Sequence, residues 1–369
     1  MKLQSQSGLI YRNPAPHVVS RHAYFPSLIT MDNGEMLASF SIGEAFEAVN
    51  LNTYIARSAD NGKTWDEPKV LLSEELTINY SNCARLTSLP NGEVVAIVVR
   101  HNRTDHLQEG LANPKNLGFV PTKILLMRSH DYGQTWDEPE PITEPIIGPS
   151  FELCSPIKIL KVGRWIWPTS TWRGWDGNCP NGMKMVAFVS YDQGKTWPEY
   201  WDVMKDEAQE KIYWESQIIE LKTGELLAVA WTYDEKNGRD LTNHYSISHD
   251  GGTTWTEPAS TELYGQTMAI AELPTGNILG IYRRMDKAGL WGNISQLQNG
   301  IWINRCTFPL WGTYEEELHG KNDNIVSQMN ELKFGVPCIT PLPDASFYVA
   351  FWCYENLVSN IRWIHIPES

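Results

Sequence analysis

Glu215 stands in YWESQIIEL, behind two aromatic residues and ahead of an apolar, strand-like stretch. Other residues able to do chemistry occupy the same kind of place, the start or the end of a short apolar segment. Starts carry Arg21, His22 and Tyr24; Glu152; Tyr213 and Trp214; and Gln266. Ends carry Glu44; Arg100 and Asp105; Arg173; Trp231; Arg283; and Tyr354 with Glu355. Arg85 adds a further cation in CARLTSL. Carboxylates beside aromatic rings suit sugar chemistry: ring faces stack on a pyranose while carboxyl groups move protons. Glycosidases commonly use two carboxyls, ~5–5.5 Å apart for retention or ~6.5–9.5 Å for inversion of the anomeric centre. Glu215 is the first choice for one of them, and Glu44, Asp105 and Glu152 compete for the other. An acid role needs a raised pKa, which desolvation beside Trp214 or Trp231 would supply. Arg21, Arg173 and Arg283 would hold a substrate anion. Each candidate also has a plain structural reading, Glu215 as an ion-pair partner and Glu44 as a solvated loop carboxylate.

Something regular must bring these ends together. The octapeptide S-x-D-x-G-x-T-W recurs four times, as SADNGKTW (58–65), SHDYGQTW (129–136), SYDQGKTW (190–197) and SHDGGTTW (248–255). SQLQNGIW (295–302) is a degraded candidate for a fifth. Asp and Ser in such a turn bond backbone amides, Gly takes a positive φ, and Trp fills the space beneath. Asp60, Asp131, Asp192 and Asp250 are therefore expected to be structural. Between these copies runs a second pattern of apolar strand, Gly-containing turn and apolar strand, seen six times from LITMDNGEMLASF (28–40) to ITPLPDASFYVAF (339–351). Gly34 to the equivalent Asp344 is 310 residues over five intervals, a mean of 62. A fixed period of this size with β-type segments predicts an all-β, six-bladed β-propeller. The blades fall near 21–78, 79–148, 149–210, 211–262, 263–330 and 331–369 with 3–20, in one domain, and GLIYR (8–12) closes the last one. Segment 202–211 (DVMKDEAQEK) is the one weak helical candidate.

Composition narrows the classes. The 369 residues carry 16 Trp, 15 Tyr and 10 Phe, more rings than the turn motifs absorb. The formal net charge of −14 argues against nucleic acid, which needs a basic footprint. No run approaches the ~18–20 apolar residues that span a membrane, and the N-terminus lacks the apolar stretch of a signal peptide, so a cytoplasmic protein is expected. The six cysteines are dispersed without a CxxC pair and read as core residues. No motif implies a metal or cofactor, and the oligomeric state stays open.

The octapeptide is the Asp-box, or BNR repeat, and six blades bearing it resemble the sialidase (neuraminidase) superfamily. That resemblance implies three arginines for the substrate carboxylate, a Tyr nucleophile paired with a Glu, and an acid/base Asp. YWESQIIEL matches the family's Glu motif and assigns that role to Glu215. IGEAFEAVN holds Glu44 in the loop where the family keeps its Asp. IYRRMD offers Arg283 or Arg284 as one arginine, and FWCYE matches L-Y-E at Glu355. The pattern departs at HAYFPSL, where Tyr24 takes an arginine position, at GELLAVAW, where Trp231 takes another, and at FGVPCITPL, where Val336 takes the Tyr position. The resemblance thus implies a sialidase-like glycoside hydrolase with a diverged active site, removing a terminal sugar, acidic sugars included, from a small oligosaccharide. Two other classes stay open: a lyase acting on uronates with Tyr213 or His101 as base, and a glycan-binding propeller without catalysis.

Overall fold

The computed structural model describes residues 6–313 and 331–367. Among them the fold is all-β, with no α-helix and with short 3-10 turns such as Glu74–Leu76 and Pro90–Gly92. The chain forms two compact units. One comprises Met1–Ala112, Val120–Ile142 and Pro337–Ser369, and the other Asn113–Phe119 and Thr143–Val336. Residues 314–330 of the expected 263–330 blade lie outside the described residues.

In the first unit, His22–Thr30, Met36–Gly43, Asn52–Ser58 and Lys69–Val70 form one antiparallel meander. Tyr80–Ser88, Val94–Asn102, Thr122–Ser129 and Glu140–Pro141 form another. The central strands are buried on both faces, as the unbroken apolar run VVAIVV requires. Leu37, Val94, Ala96, Val98, Leu125 and Met127 share one core. Fully burying a Val, Leu or Met side chain contributes ~1.5–3 kcal/mol. Ser7–Tyr11 pairs antiparallel with Val358–Ile366, itself beside Phe347–Glu355, so the N-terminal strand joins the last sheet as its sequence suggests.

In the second unit, Trp165–Trp172, Met185–Ser190 and Glu199–Met204 form a meander, with Ser150–Phe151 against its first strand. Lys211–Glu220, Leu226–Asp234 and Thr242–Ser248 follow. The long strand Ala259–Glu272 pairs with Thr242–Ser248 through its first half and with Ile278–Arg284 through its second. Leu290–Gln298 and Ile301–Trp311 complete that sheet.

The four octapeptides make one turn. In the first, Ser58 Oγ donates to Asp60 Oδ1 (2.9 Å) and accepts from the Gly62 amide (2.8 Å). Asp60 accepts from the Thr64 amide (2.9 Å) and hydroxyl (2.7 Å), and the Trp65 indole donates to Gly62 O (3.1 Å). Asp131, Asp192 and Asp250 repeat the Thr bonds. These bonds favour the ionised carboxylate and hold all four pKa values at about 2. Because the folded values lie below the ordinary 3.8, the stability they add is present above about pH 4 and lost as pH falls toward 2. Thermal melting between pH 5 and pH 2 should show that loss, and Asp60→Asn should lessen it by the share of one of the four turns.

Two local expectations are corrected. Residues 295–302 do not form a fifth octapeptide turn. Without its Asp and Thr, the chain reverses at Asn299 and Gly300, both at positive φ (52° and 77°), in a two-residue hairpin loop, and the Trp302 indole donates to Asn304. Segment 202–211 is no helix. Its first residues end strand Glu199–Met204, and the Asp206 carboxylate then accepts the Glu210 and Lys211 amides, turning the chain into the next strand. Of the six free cysteines, Cys83 and Cys353 are core residues as expected, whereas Cys306 is exposed.

Candidate functional site

Three strands carry the same irregularity. In Lys211–Glu220, Trp214 pairs with Trp231 and Gln217 with Val229, so Glu215 and Ser216 together face one residue. In Ala259–Glu272, Thr267 and Met268 do the same between Gln266 and Ala269. In His22–Thr30, Phe25 and Pro26 repeat it. These are β-bulges, which re-aim side chains and often lie beside active sites. The first bulged residue takes a left-handed backbone each time: Phe25 (φ 56°), Glu215 (42°) and Thr267 (52°). A charged residue held in that strained region marks a functional candidate.

In the second unit the bulges assemble a polar cluster. The Glu215 amide donates to Glu152 Oε2 (2.8 Å), and the Thr267 hydroxyl donates to the Glu215 carboxylate. Glu152 is placed by its own backbone: its amide donates to Ser170 O, and its carbonyl accepts from Thr169 Oγ1 (2.7 Å). Arg283, whose charge feels that of Glu215, is 2% exposed. Its Nε (3.0 Å) and Nη2 (2.5 Å) donate to Gln266 Oε1, and its Nη1 donates to Phe334 O (3.1 Å). Gln266 Nε2 donates to Asp240 Oδ2 (2.7 Å), and the Trp231 indole donates to Asp240 Oδ1 (2.6 Å). Burial lowers the pKa of Arg283, opposed by the charges of Glu215 and Asp240. Burial raises that of Asp240, opposed by its two donors and by Arg283. Thr267→Val keeps the shape and removes one donor to a charged carboxylate, so kcat should fall about tenfold with the melting temperature little changed.

Glu215 is joined to Glu152 by a hydrogen bond, and Trp231, Gln266 and Arg283 are joined through Asp240 and Gln266. Asp240 and Thr267 were not foreseen. Thr267 has a legible signal, since GQTMAI holds it in register with Glu215; Asp240 sits in the short return strand Arg239–Asp240 and has none.

The aromatic residues are corrected in role. Trp214 (1% exposed) and Trp231 (2%) are core, not open sugar platforms. Trp214 stacks on Trp172 (5.1 Å, 2°) and Tyr233 (5.2 Å, 21°) and meets Trp231 edge-on (4.9 Å, 73°). Trp172 is half-buried, its indole donating to Leu117 O (2.6 Å), while Trp175 stays partly exposed. Tyr213 packs in the core with Ile218 and Ala228, and burial pushes its pKa up to about 12, so it is not placed as a lyase base. Arg173 is not a free anion holder either: it pairs with Glu235 (2.5 Å) and donates to Asn116 O (3.1 Å).

In the first unit, Glu44 and Asp105 are exposed, Glu44 receiving Ser20 Oγ on its carbonyl. Arg21 is exposed and, with His17, His22, Leu357 and Val358, lines a surface cleft of about 160 Å³. Tyr24 is fully buried edge-on to Trp352 (5.3 Å) and shares a 2.5 Å hydrogen bond with the Tyr354 hydroxyl; burial raises its pKa. His22 accepts the Ser359 amide, and burial lowers its pKa. Arg85 donates to Phe25 O (2.9 Å), bracing that bulge. Arg100 lies 4.0 Å over the Tyr80 ring and donates to Leu76 O. Glu355 pairs with Arg362 (2.8 Å). His101 is buried, and burial lowers its pKa to about 4. Among the described residues, no group of three His, Cys, Asp or Glu side chains is arranged to hold a metal.

A BNR repeat-like domain model matches residues 34–309. A sialidase of Bacteroides fragilis (strain YCH46) is 25% identical over 261 residues, covering 64% of this chain and 43% of that protein. A sialidase of Paraclostridium sordellii is 24% identical over 246 residues, covering 62% and 56%. The chain therefore spans about half the length of these relatives. Among solved structures, a Dyadobacter fermentans DSM 18053 protein of unknown function superposes with a TM-score of 0.75 at 20% identity, covering 100% of this chain and 99% of that one. The intramolecular trans-sialidase of Ruminococcus gnavus does so with 0.64 at 14%, covering 94% of each. These likenesses show a sialidase-like all-β fold. With its repeats, its fold and the matched domain together, the chain belongs to the BNR repeat-like family of the sialidase superfamily.

Proposed function

We propose that this protein is a glycoside hydrolase that removes a terminal sugar from an oligosaccharide, and that its repeated meanders are the blades of a six-bladed propeller. Glu215 and Glu152 are its working carboxylates. The observation that carries this reading is the Glu215 bulge. A carboxylate on a strained left-handed backbone, oriented by the Thr267 hydroxyl, has a second carboxylate bonded to its own amide. Two carboxylates in one network are what glycosidic cleavage needs, one to attack or to activate water and one to protonate the leaving oxygen. Asp240 is a positioning residue, because both its oxygens already accept hydrogen bonds. The sialidase names of the sequence relatives support the hydrolase class, and the 62-residue spacing of the repeats supports the six blades. The test is a panel of aryl glycosides and oligosaccharides in both anomeric series. The reading expects sugar release from at least one member, with a large drop in Glu152→Gln. Binding without release across the panel would overturn it.

A further inference from the structure

Among the described residues of the second unit, two aromatic rings stand open to solvent, Tyr191 and Tyr264. Tyr191 gives its hydroxyl to Glu199 and has Arg164 over its face (5.3 Å). Tyr264 is 38% exposed, and no other described ring stacks on it. A single exposed ring is ordinary; the seat of this one is not. At Tyr264 the strand Ala259–Glu272 ends its pairing with Thr242, and at the next residue it takes up pairing with Arg284. The Tyr264 carbonyl accepts from the Met285 amide (3.2 Å), and any side chain at Gly265 would run into the Tyr282 ring and the Arg283 carbonyl. The backbone beneath the ring is therefore pinned on both sides. Gln266 follows, bonded to Arg283 and Asp240, and then Thr267, whose hydroxyl donates to the Glu215 carboxylate. Asp240, Arg239 and Asp286 lie within electrostatic reach of the Tyr264 hydroxyl. Arg239 has a largely exposed side chain and engages Asp234 through Nε alone (3.4 Å).

We propose that Tyr264 is the stacking platform for a second sugar, the unit next to the one whose bond is cut at Glu215, so that the protein prefers oligosaccharides to simple glycosides. This step rests on the glycoside-hydrolase reading and extends it to the length of the substrate. Three strand positions, about 10 Å, separate Tyr264 from Thr267. That spacing puts the ring beside the neighbouring unit and not beside the sugar at Glu215. A sugar has an apolar C–H face and a rim of hydroxyls. The Tyr264 ring covers the face, and the guanidinium of Arg239 offers donors to the rim. With two χ angles on a fixed backbone, the ring gives up little entropy when a ligand settles on it.

The experiment compares wild type, Tyr264→Ala and Tyr264→Phe on methyl glycosides and on di- and trisaccharides ending in the same sugar. Methyl glycosides are used because an aryl group would itself stack on the ring. Tyr264→Ala should lower kcat/KM on the oligosaccharides by about tenfold, mostly through KM, and leave the methyl glycosides unchanged. Tyr264→Phe should behave as wild type, and melting temperatures should move little, since the side chain is exposed. An equal loss on both substrate classes, or none on the oligosaccharides, overturns the inference and leaves the hydrolase reading intact. So does a Tyr264→Phe loss as large as that of Tyr264→Ala, which would put the effect on the hydroxyl and not on the ring face. If wild type cleaves nothing, the hydrolase reading fails, and calorimetric binding of the same oligosaccharides decides the inference. Binding weakened about tenfold in Tyr264→Ala and kept in Tyr264→Phe supports it. Binding indifferent to Tyr264→Ala, or absent from wild type, overturns it.

Discussion

Glu215→Gln is expected to lower kcat by roughly 10²–10⁴-fold, the range supplied by one positioned acid or base. The amide is nearly isosteric and still accepts from the Thr267 hydroxyl, while the backbone N–H of residue 215 still donates to Glu152. The cluster should therefore stay assembled, with the melting temperature little changed and the loss concentrated in kcat. Relief of burial offers no alternative source for such a drop, since Gln removes a charge without opening a cavity. Steady-state kinetics with thermal melting on the same samples separates the two effects. A KM rise at constant kcat would assign Glu215 to uniform substrate binding and not to the chemical step.

Arg283→Met is expected to destabilise the fold by about 1–3 kcal/mol, the range for leaving a buried hydrogen-bond partner unsatisfied. The guanidinium is 2% exposed, and the charges of Glu215 and Asp240 oppose the effect of its burial. Its removal strips two donors from Gln266 Oε1 and one from Phe334 O, and takes away the positive charge that lowers the pKa of Asp240. The pH dependence has a definite sign. Burial already raises the folded pKa of Asp240 above its ordinary value, and losing Arg283 raises it further. A carboxyl whose folded pKa is raised binds its proton more tightly in the folded state, so stability falls as pH rises through the window between the two values. The variant should therefore be more damaged at pH 8 than at pH 5, read from urea midpoints at each pH.

What the amino-acid order made legible follows the range of the interactions involved. The four Asp-box turns are local: Ser58, Asp60, Gly62, Thr64 and Trp65 satisfy one another within eight residues, so the motif alone states their structure. Strand alternation likewise separates Arg283, buried on Gln266, from Arg284, which turns out to Asp286 and lies over Trp291. Glu215 was legible through its motif. Its orientation was not, because the bulge at Glu215 and Ser216 interrupts the two-residue period that would otherwise tell inward from outward positions. The same interruption hides the burial of Tyr213 and Trp214, which the sequence places at the start of that strand. Asp240 was invisible for a different reason. Its partners Trp231, Gln266 and Arg283 meet it through sheet register, 9, 26 and 43 positions away, and no local pattern records that meeting. Glu44 and Asp105 show the converse: right in type, they sit on exposed loops where strand placement could not set their surroundings.

The central claim is that the carboxylates at the Glu215 bulge cleave a glycosidic bond with water. Mass analysis of the products from an oligosaccharide pool, with wild-type protein and Glu215→Gln side by side, tests it most directly. The account predicts fragments whose masses add up to the substrate plus one water, formed by the wild type and nearly absent with the variant. Fragments summing to the substrate mass alone, the mark of elimination, would contradict it, as would equal release by the two proteins.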